Sequence, residues 1–176
     1  MIRRVLASID SISERLGKIV SYLIPAMMAV MTYEVIVRYI FNSPTIWALE
    51  TTEFLFAGST ALGGAWLLLH RGHVNVSILY DHLGTRTRAV VDIATSLFFF
   101  GFIFFFFQNT LDVTIEAVAN LQHSPTFWAP PIYPIYIAMT VGILLIFFQG
   151  LAKLIRDLST ALTGKAEKGM SEKETE

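Results

Sequence analysis

The chain predicts an all-α integral membrane protein: four transmembrane helices preceded by an N-terminal amphipathic interfacial helix. Three observations carry this. Of 176 residues, 54% are hydrophobic and only 15% are charged, with a mean hydropathy of +0.57, whereas an ordinary globular chain has roughly 25% charged residues to cover its surface. Four stretches, approximately Ile19–Phe41, Leu49–Leu69, Ala89–Phe107 and Tyr133–Ile155, reach the ~20 helical residues that cross a hydrocarbon core of about 30 Å. These runs are continuous rather than alternating, which favours helices over the other spanning solution, a closed β-barrel.

Residues 1–18 form the amphipathic segment. Ile2, Val5, Leu6, Ile9, Ile12 and Leu16 fall at helical spacing, and Arg3, Arg4, Asp10, Glu14, Arg15 and Lys18 take the other positions. No long apolar run ending in a small-residue cleavage site marks a signal peptide. The segment therefore predicts a helix lying on the inner leaflet; the competing reading makes it the first turns of a long first span. Residues 19–158 make up the four-helix domain, and the polar, charged residues 159–176 predict a disordered cytoplasmic tail.

Lys and Arg set the orientation. Arg3, Arg4, Arg15 and Lys18 precede the first span. Arg71, Arg86 and Arg88 lie in or beside the second connection, and Lys153, Arg156, Lys165, Lys168 and Lys173 close the chain. The first connection (42–48) and the third (108–132) contain none. The positive-inside rule then predicts a multi-pass membrane protein with both termini cytoplasmic.

The second span is rich in small residues, and Ala57, Ala61 and Gly64 share a face suited to close helix packing. The third is nearly surrounded by phenylalanine, Phe98–Phe100, Phe102 and Phe104–Phe107, a lipid-facing or gap-filling surface. Both outside loops contain Ser-Pro-Thr followed by an aromatic pair or Ile-Trp (Ser43–Trp47, Ser124–Trp128). Serine as N-cap and proline as first helical residue would make two similar hairpins, with chance as the competing account.

Four charges gather at the first outside turn: Glu34, Arg38, Glu50 and Glu53. Glu34 and Arg38 are spaced for an intrahelical pair with the acid first. A buried uncompensated charge costs about 2.5–3.5 kcal/mol or more in a membrane, so mutual neutralisation competes with contact to a neighbouring helix or subunit. Glu50 and Glu53 lie where a helix dipole favours anions. With Trp47 they form an acidic-aromatic stripe fit to dock a basic partner.

Other chemistry is poorly supported. The chain has no cysteine, which excludes disulfides and thiolate sites. Its four histidines, His70, His73, His82 and His123, are placed away from the span centres where bis-histidine haem would need them. No nucleotide loop, metal-ligand spacing or nucleophile–base pattern appears, and no nucleic-acid motif accompanies the positive charge. Paired broken helices, the mark of a secondary-transport pathway, are missing too. A haem-bearing membrane anchor of an oxidoreductase and a self-sufficient small proton-coupled exporter using Glu34 remain as alternatives.

The ordered combination of "RY-F" at the outer end of the first span, "W--E--EF", a small-residue helix running into "RGHVNVSILYDHL", and "FWAPPIYPIYIAMTVGILLIFFQGLAKLIRDL" resembles the small membrane subunit (DctQ-like) of tripartite ATP-independent periplasmic (TRAP) transporters. The resemblance runs from about Arg15 to Leu158. It implies a non-enzymatic helper that braces a large membrane subunit while that subunit's transport domain moves elevator-fashion. It also implies a periplasmic solute-binding protein as second partner, and small organic acids, carboxylates or sulfonates, as solutes. No cofactor is implied in this chain, sodium being expected on the large subunit. Glu34, Arg38, Trp47, Glu50 and Glu53 would then contact the partners, with membrane lipids around the rest.

Overall fold

The computed structural model describes residues 2–70 and 85–163. They form five helices: α1 (Ile2–Ser21), α2 (Leu23–Tyr39), α3 (Ala48–Leu69), α4 (Thr85–Ala119) and α5 (Tyr133–Thr163). Among the described residues, four segments are long and apolar enough to cross a membrane, Arg4–Tyr39, Ala48–Leu69, Val90–Ala119 and Tyr133–Leu162. The protein is an all-helical, multi-pass membrane protein.

The first of those segments joins α1 and α2 across a single break at Tyr22. The Tyr22 N–H reaches the Ile19 carbonyl at 3.2 Å, and the Ala26 N–H returns to Tyr22 at 3.3 Å. Pro25 has no N–H to give to Ser21, so the ladder must loosen there. At its other end α2 stops because Asn42 takes a left-handed φ of 50°. The Ser43 N–H then folds back onto the Val37 carbonyl at 3.1 Å, a closure that satisfies a terminal carbonyl.

The helices stand in a row, α4 against α5, α5 against α3, and α3 against both α1 and α2, with α1 also reaching α5. Small residues set the closest approach. A Cβ on Gly142 of α5 would overlap the Ala61 carbonyl of α3, and one on Gly64 would overlap Ile146. Gly17 of α1 admits the Trp66 ring in the same way. Along α4, Ile103, Thr110, Thr114 and Ala117 are buried against α5, while Leu97, Phe98, Phe102 and Phe105 are exposed on other faces. Phe100 meets Phe147 edge-on, with centroids 5.6 Å apart.

Several boundaries differ from the sequence expectations. α4 continues about three turns past Phe107, because Thr110, Thr114 and Ala117 pack on α5 where hydropathy alone sees only a polar connection. The Ser43 and Ser124 N-caps do not form. α3 starts at Ala48 after Trp47 without a side-chain cap. Residues 122–132 close on themselves, with the Ser124 N–H donating to the Pro130 carbonyl at 2.8 Å and the Ile132 N–H to Gln122 at 3.0 Å. α5 also includes 159–163, expected in the tail; Thr160 there is buried. The expectations for residues 71–84, including Arg71, His73 and His82, and for 164–176 lie outside the described residues.

Candidate functional site

Two polar clusters stand at opposite ends of the row. The end carrying connections 40–47 and 120–132 is the loop end; the end where α1 begins and α5 finishes is the terminal end.

At the loop end Glu34 is 5% exposed, and its two oxygens are divided between helix and loop. Arg38 donates from Nε to Oε1 at 2.9 Å and also from Nη2. Thr45 donates its backbone N–H to Oε2 at 3.2 Å, and its hydroxyl reaches the same oxygen. The acid is thus neutralised on its helix and pins the following connection to it. Half of the Arg38 side chain remains exposed. Trp47 stacks on Tyr33 with centroids 5.9 Å apart, and Ala48 behind it is fully buried. Glu53 is exposed. Glu50 is half-buried, and its Oε2 is buried with no hydrogen-bond partner among the described residues. A buried acceptor left unmatched costs about 1–3 kcal/mol, so this oxygen is the loop end's unfilled position.

At the terminal end α1 turns a polar face inward. Arg156 Nη2 donates to Asp10 Oδ2 at 2.6 Å, Gln149 Nε2 to Asp10 Oδ1 at 3.0 Å, and the Ser13 hydroxyl to Gln149 Oε1 at 3.0 Å. Asp10, Ser13 and Gln149 are all buried. Glu14 joins Lys18 at 3.3 Å and the His70 ring at 3.4 Å, and Lys153 bridges Asp92 and Asp157 at 3.4 and 3.6 Å. Of the apolar stripe expected on α1, Leu6 is buried but Val5 and Ile12 are exposed. In a membrane the apolar side needs no protein cover, whereas polar groups must find partners inside. Between α4 and α5, the Thr114 hydroxyl bonds the Thr140 hydroxyl at 2.8 Å and reaches the Tyr136 carbonyl at 3.1 Å.

Ala61 and Gly64 lie at the α3–α5 contact, and Ala57 one turn earlier is half-buried. The two described histidines sit apart, His70 against Trp66 and Glu14 at the terminal end and His123 in the loop bridge to Pro131. Among the described residues no His, Cys, Asp and Glu cluster could hold a metal ion. The sequence reasoning missed Thr45, Asp10, Ser13, Gln149 and Arg156 as partners. Gln149 was the available signal, since a lone amide in an apolar run must find a mate.

A row of membrane helices whose buried polar groups tie helix to helix defines a multi-pass membrane component. Residues 27–160 match the family described as tripartite ATP-independent periplasmic transporters, DctQ component, and the chain belongs to that family, the small permease subunits of TRAP transporters. It is similar to the C4-dicarboxylate TRAP transporter small permease protein DctQ of Vibrio cholerae, 34% identical over 93 residues, 51% of this chain and 39% of that one. It is also similar to the sialic acid TRAP transporter small permease protein SiaQ of the same species, 28% identical over 88 residues, 50% of this chain and 47% of that one. The ectoine TRAP transporter small permease protein TeaB of Halomonas elongata is 26% identical over 176 residues, 98% of this chain and 91% of that one. The chain thus spans less than half the length of the two Vibrio relatives it matches.

Proposed function

We propose that this chain braces the large solute- and sodium-carrying subunit of a TRAP transporter. Its loop end helps form the periplasmic surface on which a solute-binding protein docks, and both termini are cytoplasmic. The observation carrying this reading is the row of helices latched at both ends by buried polar contacts. Glu34 with Arg38 and Thr45 holds the α2–α3 connection onto α2 at one end, and Asp10 with Gln149 and Arg156 ties α1 to α5 at the other. Such a layer is stiff and presents broad apolar flanks, as on α4, to a second membrane protein. Solute and sodium are handled by the large subunit, and this chain holds no cofactor.

Glu50, with its unmatched oxygen, is the position at which a basic or amide donor of a partner completes the site. Arg38, Trp47 and Glu53 belong to the same loop end, where Glu34 holds Thr45 of the connection. The solute class proposed is small organic acids, carboxylates or sulfonates; two of the relatives are named for C4-dicarboxylate and sialic acid.

Reconstitution tests the reading. Liposomes carrying this chain, its large subunit, the binding protein and a sodium gradient should take up solute, while liposomes with this chain alone should not. Uptake by the chain alone would overturn the helper role. Glu50→Ala should weaken co-purification with the large subunit or binding protein by tenfold or more, the equivalent of about 1.5–3 kcal/mol for a charge-assisted bond.

A further inference from the structure

Beside the break at Tyr22 and Pro25, α1, α2 and α3 line a groove of about 620 Å³ in the terminal-end half of the row. Val20, Ile24 and Met27 form one wall, and Phe56, Gly63 and Trp66 the other. Two of the three hydroxyls in it are already used: Ser21 donates to the Lys18 carbonyl at 2.7 Å, and Ser59 to Phe56 at 2.8 Å. The lining is therefore apolar in effect. A Cβ on Gly63 would meet only Val20, at 3.6 Å, so glycine here leaves space that an ordinary side chain would fill.

At the mouth stands Lys18, its side chain 68% exposed, with Glu14 as its ion-pair partner at 3.3 Å. An ammonium has three donors, and the single contact to Glu14 leaves two for another acceptor. From Lys18 to Met27 the wall runs about 14 Å along the helix, and from Trp66 to Phe56 about 15 Å. One leaflet of a ~30 Å core is about 15 Å deep. The groove thus starts at a cation and ends one leaflet down.

We propose that this groove is a binding site for one phospholipid of the terminal-end leaflet, with an acyl chain between α2 and α3 and an anionic headgroup phosphate on Lys18. A transmembrane helix is a poorer occupant. An apolar helix would bring no acceptor to the remaining donors of Lys18. The bound chain fills the space between α2 and α3 on the terminal-end side of the Glu34 contacts. This inference does not depend on the bracing role.

The test uses the full chain, co-expressed with the large subunit and placed in nanodiscs of phosphatidylglycerol and phosphatidylethanolamine. A benzophenone amino acid replaces Thr60, in the groove wall, or Phe98, exposed on α4. After irradiation, intact mass should show one phospholipid on the Thr60 chain, enriched about fivefold in phosphatidylglycerol relative to the Phe98 chain, as expected for one lysine at an anionic headgroup. Lys18→Gln should abolish the enrichment without disturbing the fold, and Gly63→Phe should remove the adduct. An adduct with the large subunit or with a second copy, no adduct at Thr60, or the same lipid distribution at both positions would overturn the proposal.

Discussion

Arg156, near the end of the last helix, donates to the carboxylate of Asp10, near the start of the first, at 2.6 Å across 146 positions of sequence. Gln149 takes the second carboxylate oxygen. Asp10 is buried and the Arg156 side chain nearly so, at 15% exposed.

Removing one member strands the other. Asp10→Ala or Arg156→Ala should each lower stability by about 3–5 kcal/mol, the usual cost of breaking a buried ion pair. A double change to Leu at 10 and Met at 156 should recover much of that loss, because no charge is then left buried. Thermal unfolding in detergent, with protease release of α1 as a second readout, checks both. Equal stability of wild type and Asp10→Ala would show that α1 does not depend on this latch.

The loop-end latch has a similar test. Thr45→Val removes one donor to Glu34 while the backbone N–H remains, and should cost about 1 kcal/mol. Replacing Glu34 with Gln and Arg38 with Leu together removes the charges without stranding either one. If the rim meets the large subunit, that double variant should co-purify with it less well than wild type does. Undiminished recovery and transport would reduce Glu34 and Arg38 to an intrachain fastening.

Glycine substitutions should separate contact from open space. Gly142→Ala drives a methyl into the Ala61 backbone, so α3 and α5 must part, and a loss of 1–3 kcal/mol, typical of overpacking, is expected. Gly63→Ala meets only one side chain at ordinary distance and should be neutral or slightly stabilising, since alanine favours helix by about 1 kcal/mol. Melting temperatures of the two variants side by side decide it.

Topology can be read by labelling, since the chain has no cysteine of its own. Single cysteines at Thr45 and Thr126 should react with an impermeant thiol reagent in intact cells, and those at Arg86 and Lys168 should not. Labelling at 86 from outside would reverse the proposed orientation.

Much of the architecture was legible in the sequence because a bilayer imposes a simple rule: about 20 apolar residues, helical, with backbone bonds made internally. The four spans follow from it, as does the small-residue face near Ala61 and Gly64. Hydropathy could not place the end of α4, because what holds Gln108–Ala119 in a helix is contact with α5, made through Thr110, Thr114 and Ala117. The Ser-Pro signals failed for a related reason. Ser124 and Pro125 fit a helix start locally, yet the Ser124 N–H closes a loop onto Pro130 instead.

The sequence by itself determined the class, the number of spans and the gathering of charge at one turn, since these depend on composition and spacing along the chain. Only the tertiary structure decided which groups meet. Glu34 offered four-residue spacing to Arg38 and so half its partners, while Thr45 reached it only once α2 had turned at Asn42. Asp10 appeared to belong to the outer polar side of α1, and became buried because Gln149 and Arg156 bring bonds to it from α5. Between lipid and protein, an apolar side chain such as Ile12 loses little by facing outward, but a carboxylate must have its lone pairs filled. That preference depends on a partner more than a hundred residues away, and no local pattern in α1 encodes it.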